Sequence, residues 1–595
     1  MARTARREHG PRHLPGEHVM FDLVISGAMV VDGTGAPART ADVAVRDGTI
    51  VEVGRVTGRA RRRFDADGAL VTPGFVDIHT HYDGQATWDP HLTPSCWHGV
   101  TTAVMGNCGV GFAPVRADRH DWLIDLMEGV EDIPGTALAD GIRWGWESFA
   151  EYLDALAAMP RAIDVGAQVP HAALRAFVMG PRADGPATDD DLAAMAAMVR
   201  EALRAGALGV STGRTVGHRD ARGELVPGTH AAEDELAALL AAMDDVGRGV
   251  FQVVPAGISG EIGGDDRGAM DREMEWIVRL GRSTGRPLTF LVMDGPRHGH
   301  DWRGWFDQVR RANAEGAMIR PQVASRCFGM LFGLQSAMNP FRFRPSYRAV
   351  AELPLGERVE VLRRPEVRAG VLAEAPEVTG PPSMDQYTEH LFGRLFPLGP
   401  ELDYEPTRER SVAALAEAAG TDPWEVLYDA FVADGGRNFV LHPMMNFGGG
   451  SYDGLHEMLA DPLTVQGLGD GGAHCSMICD ASMTTYLLSY WARDRTRGPR
   501  LAVEEAVRRL TSDPAQLYGL GDRGVLAPGR RADLNVIDLD ALALEPPELL
   551  HDLPAGAGRL VQRSRGYVAT FVTGRTVVDA GELTDERPGS LVRGR

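Results

Sequence analysis

With 595 residues, 44% of them hydrophobic, the chain has room for an α/β barrel of about 250 residues, insertions and a smaller second domain. Its 61 basic residues face 82 acidic ones, and the net charge of −21 repels phosphate backbones and anionic membranes, which excludes nucleic acid and membrane as partners. Every basic residue is arginine, so no lysine is available for a carbamate bridge between two metals, a Schiff base or a Walker A loop.

In chain order, residues 1–20 are rich in Arg and His and lack the apolar core of a signal peptide. They are expected to be a disordered extension of a cytoplasmic protein. No later apolar run reaches the roughly 18 residues of a membrane span, and five scattered cysteines give no disulfide framework. Residues 21–69 read as short strands joined by turns such as Asp32-Gly33 and Asp47-Gly48. The apolar run Gly74 to Ile78, entered at Pro73-Gly74, supplies a buried strand that empties into a loop at His79 and His81, with Asp77 just before them. Alternate strand residues point to one side, so His79 and His81 can present both imidazoles to one divalent metal. The run GVTTAVMGNCG from Gly99 to Gly109 carries Cys108, which on its own reads as a buried small hydrophobe.

From Ala193 to Ser325, amphipathic helices closed by glycine alternate with apolar strands. The strands are placed at Leu208–Ser211, Val250–Val254, Leu288–Met293 and Met318–Ala324. This rhythm means a parallel sheet covered by helices. Residues 326–463 break it, and so large an insertion is read either as a lid over the active face or as a packing embellishment. After the run Leu463–Gly469 stands Asp470-Gly471, which in isolation is a turn. Residues 521–595 return to short strands and glycine turns.

His-x-His at a strand end, GVTTAVMGNCG, VPHAALR from Val169 to Arg175, AGALGVSTG from Ala205 to Gly213, GDGGAH from Gly469 to His474 and APGRRAD from Ala527 to Asp533 follow one another in order. Together they resemble the N-acyl-D-amino-acid deacylase (D-aminoacylase) branch of the amidohydrolase superfamily. The resemblance implies a (β/α)8 TIM barrel over residues 70–520, with residues 21–69 and 521–595 joining as a small β-sandwich domain. It implies metal ligands His79, His81, Cys108 and Asp470, with Asp470 also the proton-transferring base. His171 is either a second catalytic residue or a structural histidine, and His474 either touches substrate or steadies its loop. The missing lysine excludes the hydantoinase and urease style of bridged site. One departure matters: the family's fifth and sixth strands each end in a zinc-binding histidine, whereas this chain offers only Gln252 and Asp294 there. One zinc per chain is therefore expected.

A metal so held lowers the pKa of water toward about 7 and polarises a carbonyl. A substrate carboxylate calls for a bidentate arginine, for which Arg326 after the seventh strand is the first choice, with Arg320 and Arg214 as rivals. His442 is read as structural, and His298 and His300 as exposed loop residues. The leading reading is zinc-dependent hydrolysis of a non-peptide amide, most directly an N-acyl-D-amino acid, by a protein whose partners are its small-molecule substrate and further copies of itself in a homo-oligomer. A deaminase or cyclic-amide hydrolase, and a non-catalytic scaffold, are the alternatives.

Overall fold

In a computed structural model, the described residues are 20–258, 268–295, 301–377 and 384–594; His298, His300 and the N-terminal extension lie outside them. Seven ladders join eight parallel strands in chain order. Phe75–Asp77 pairs with Val100–Met105, which pairs with Asp164–Ala167. The third strand continues past Gln168 into Val169–Pro170, which pairs with Gly209–Gly213, then Val250–Val254, Leu288–Leu291, Ile319–Val323 and finally Val465–Gln466. The eighth strand meets the first through the Thr80–Gly471 bridge, where Asp470 N–H donates to the His79 carbonyl at 3.0 Å and His81 N–H to the Gly471 carbonyl at 2.8 Å.

Close strand packing explains two of the glycines. A Cβ on Gly469 would lie 2.2 Å from Asp77 Oδ2, and one on Gly106 would lie 2.3 Å from the Gln168 carbonyl. Any side chain there would push the first and eighth, or second and third, strands apart. The covering helices carry the expected end signals. Asp189–Ala205 opens with a reciprocal Thr188–Asp191 capping box and closes at left-handed Gly206, and Glu233–Val246 closes at left-handed Gly247. Their apolar faces, through Met195, Val199, Leu203, Leu236, Leu239 and Met243, enter the main core.

The two ends of the chain join in one nine-stranded sheet, in which Leu534–Ile537 pairs with Leu70–Pro73 on one side and Tyr567–Val572 on the other. Its own core holds Leu23, Ile25, Val43, Leu534 and Phe571. Between the seventh and eighth strands, Phe328–Phe332, Phe396–Pro397 and Val440–Met445 form a small antiparallel sheet. The helices beside it share a separate core around Phe341, Leu427, Tyr428 and Phe431. No helix among the described residues is long and apolar enough to cross a membrane.

Candidate metal centre

The carboxyl ends of the first, second and eighth strands bring His79, His81, Cys108 and Asp470 together. One ligand atom each from His79, His81 and Cys108 lies within 4.8 Å of the others, and all three residues are buried. Cys108 Sγ is 3.3 Å from His79 Nε2 and 3.8 Å from His81 Nε2. Asp470 Oδ1 stands 3.5 Å from His79 Nε2 and 3.7 Å from His81 Nε2. Cys108 and Asp470 reach these positions through left-handed backbone, with φ of 57° and 45°. Non-glycine residues rarely adopt that conformation, and such strain gathers at functional sites.

Both imidazoles turn Nε2 inward because Nδ1 has an acceptor behind it. His79 Nδ1 lies 3.1 Å from Gln322 Oε1 on the seventh strand. His81 Nδ1 lies 3.2 Å from Glu131 Oε1, a close approach without hydrogen-bond alignment, since both atoms lack a hydrogen-bond partner. An acceptor at Nδ1 fixes the tautomer and leaves the Nε2 lone pair free, the usual arrangement behind a metal-bound histidine. Asp77 serves the same segment from below, taking the His79 N–H at 3.0 Å.

The electrostatics point the same way. Burial lowers His79 to about 4 and His81 to about 3, so both rings are neutral ligands at neutral pH. Burial pushes the Cys108 thiol up, and Glu131, Asp470 and Asp83 push it further. Glu131 is raised by burial and then by Asp470 and Asp83, while Asp77 and Asp83 each rise to about 7, again chiefly through burial. Several acidic groups around two neutral imidazoles, with no arginine among the causes of these shifts, make a pocket that could hold a divalent ion.

The other predicted residues fall elsewhere. His171 does not end a strand; it opens the helix His171–Met179, and its ring is held by Thr212 Oγ1 at 2.9 Å and Glu235 Oε1 at 2.7 Å. The strand stops at Pro170, one residue before it, and both ring nitrogens are engaged by Thr212 and Glu235, the contacts of a structural histidine. Arg326 is corrected. Its side chain is 1% exposed, bonded to Asp480 Oδ1 at 3.0 Å and stacked 4.1 Å from the Tyr404 ring, so its charge is committed inside the protein. Arg214 is likewise paired, with Glu273 at 2.9 Å. His474 does lie at the site, with Nε2 3.7 Å from Glu131 Oε2 and its ring edge-on to Phe328.

On the fifth strand, Gln252 Oε1 accepts the Cys108 N–H at 3.1 Å, and beyond the sixth, Asp294 accepts the Gly448 N–H at 3.1 Å. Among the described residues Asp294 does not join the cluster of His79, His81 and Cys108, while the Gln252 amide lies beside it at the Cys108 backbone.

Residues 62–578 match the amidohydrolase family. The chain belongs to that family. N-acyl-D-glutamate deacylase of Alcaligenes xylosoxydans xylosoxydans is 34% identical to this amidohydrolase over 589 residues, with 96% of both chains covered. A crystal structure of D-aminoacylase, said to define a novel subset of amidohydrolases, matches with a TM-score of 0.64 at 25% identity, covering 96% of this chain and 100% of that one. The N-acyl-D-glutamate deacylase of Bordetella bronchiseptica, solved with zinc and a phosphonate mimic of the tetrahedral intermediate, matches with a TM-score of 0.62 at 24% identity, covering 97% and 100%. The likeness gives this amidohydrolase the architecture of a TIM barrel with an extra domain.

Proposed function

We propose that this amidohydrolase, a hydrolase of carbon–nitrogen bonds other than peptide bonds, removes the acyl group from N-acyl-D-amino acids. The observation that carries the reading is the convergence of His79 Nε2, His81 Nε2 and Cys108 Sγ within 4.8 Å, with Asp470 Oδ1 beside both rings. Two neutral imidazoles and the sulfur of Cys108, whose proton a bound ion would displace, suit one zinc per chain, with the Asp470 carboxylate beside them. When bound, the ion supplies Lewis acidity toward an amide carbonyl and acidifies water.

The protein's own groups do the rest. Asp470 Oδ1 takes the proton of the attacking water and returns it to the departing nitrogen, a transfer its place at the last strand end allows. Gln322 Oε1 holds the His79 ring with its Nε2 turned to the site, and the Glu131 carboxyl stands 3.2 Å behind His81 Nδ1. The D-amino-acid substrate class is supported by the full-length relatives rather than by any contact in the site.

The eight strands are read as one closed barrel, and residues 326–463 as a lid with its own core. Phe328, just inside that insertion, already touches His474. The test pairs elemental analysis of purified protein with a screen of N-acyl-D- and N-acyl-L-amino acids. One zinc per chain and turnover of D substrates are expected, with His79→Ala losing both together. Two tightly held zincs, or a preference for L substrates, would overturn the corresponding part.

A further inference from the structure

At the end of the barrel away from His79, where the fourth to sixth strands begin, lies a cavity of about 790 Å³ bordered by Leu208, Val250 and Pro287. Six arginines line it: Arg248, Arg286, Arg523, Arg530, Arg531 and Arg593, against the single carboxylate of Asp522. For a chain of net charge −21 this is a local inversion of sign. The volume is that of a small-molecule site.

The six divide by what they already hold. Arg523 and Arg531 share Asp164, at 2.6 and 2.8 Å, and Arg593 bonds Asp154 at 2.6 Å, so these three brace the wall. Asp522 is covered by Arg523, Nε to Oδ1 at 2.9 Å and Nη2 to Oδ2 at 3.3 Å. The remaining three have donors to spare. Arg248 makes one side-chain hydrogen bond, to the Gly594 carbonyl at 3.1 Å. Arg286 turns its buried Nε toward Asp244 at 3.4 Å without hydrogen-bond alignment, and its two terminal nitrogens make no hydrogen bond among the described residues. The Arg530 side chain has no hydrogen bond or ion pair among the described residues. Gly247, Gly519, Gly521 and Gly529 also line the space, and a Cβ on any of them would meet nothing within 4 Å, leaving the backbone open to close approach.

Guanidinium forks with unused N–H groups match the paired oxygens of phosphates and carboxylates. We propose that this cavity binds a small polyanion, a molecule carrying two or more phosphate or carboxylate groups, through Arg248, Arg286 and Arg530. Its wall is assembled from the barrel floor, from Gly529–Arg531 beside the terminal sheet and from the C-terminal residues 590–594. An occupant therefore ties three parts of the chain together and stabilises the folded state by mass action.

The test is calorimetric titration and thermal melting of the full-length protein with inorganic phosphate, pyrophosphate and tricarballylate, each against sodium chloride of equal ionic strength. Saturable binding of at least one is expected, with a rise in melting temperature. The double variant Arg248→Gln/Arg530→Gln should weaken it by at least about tenfold, the cost of losing charge-assisted hydrogen bonds, while deacylase turnover is unchanged. Preference for pyrophosphate would name a phosphate ligand, and preference for tricarballylate a carboxylate one. No saturable binding by any probe overturns the proposal, as does equal binding by the double variant, which would put the anion at the metal centre. Should the double variant melt lower, Arg530→Gln alone carries the same comparison, because that side chain has no hydrogen bond or ion pair to lose among the described residues.

Discussion

The first, second and eighth strands deliver His79, His81, Cys108 and Asp470 to one point, while the fifth and sixth strands, on the opposite side of the same ring, deliver none. Gln252 is turned to the Cys108 backbone and Asp294 to the Gly448 backbone. Gln252 thus supports the site through the Cys108 backbone, whereas Asp294 ties the sixth strand end to the insertion. A half-occupied ring can still work if the populated half is self-sufficient, since three protein ligands leave a catalytic zinc one open position. Four substitutions put that asymmetry to the test.

The largest effect is expected at Asp470. Asp470→Asn keeps an oxygen within reach of the metal but cannot take a proton from water or pass it to nitrogen. Proton transfer by a positioned base contributes about 10²–10⁴-fold, so kcat should fall by that order with a smaller change in KM and with zinc retained. Near-normal turnover with bound zinc would move the base elsewhere. His474, beside Glu131, is then the next candidate; His171, with both ring nitrogens engaged, is not.

Glu131 comes second. Glu131→Gln leaves a group of the same shape but replaces the carboxyl facing His81 Nδ1 at 3.2 Å with an amide. Partners of this kind are typically worth about 10–100-fold in metal affinity, and zinc affinity measured against a competing chelator should drop by that much. The comparison between the two halves sharpens if the Gln322→Leu change, behind His79, costs a similar factor. It breaks if neither does, because the populated half would then not depend on its backing residues.

The difference between these residues and the ligands also explains what could be read in the sequence. His79 and His81 declare themselves because their spacing is local, two residues along one strand, and Asp470 closes an apolar-glycine run. The helical rhythm from Asp189 to Ala314 is equally local. Gln322 reaches His79 across 243 residues of sequence, a pairing that no window of neighbouring residues contains. Glu131 left a fainter trace. It ends the helix His120–Glu131, where the helix dipole disfavours an acidic side chain, and no basic residue stands in that last turn. An unfavourable charge on a buried helix end was the available signal. His171 misled because a strand end and a helix start are adjacent residues here, and one residue decides which way the ring points.

The smallest effect is expected on the empty side, at Gln252. Its Oε1 accepts the Cys108 N–H, while its Nε2 is buried without a partner. In Gln252→Leu, the lost acceptor leaves the Cys108 N–H unsatisfied, a cost of about 1–3 kcal/mol. The same change removes a buried amide donor that had no partner, a gain of similar kind. The two oppose each other, so the net loss of stability in urea unfolding should be about 1 kcal/mol or less. Zinc stoichiometry should stay at one per chain, because no ligand has been taken away. If zinc were lost from Gln252→Leu while its unfolding midpoint held, the fifth strand would be supplying a ligand through that glutamine, and the two halves of the ring would be less unequal than their geometry makes them.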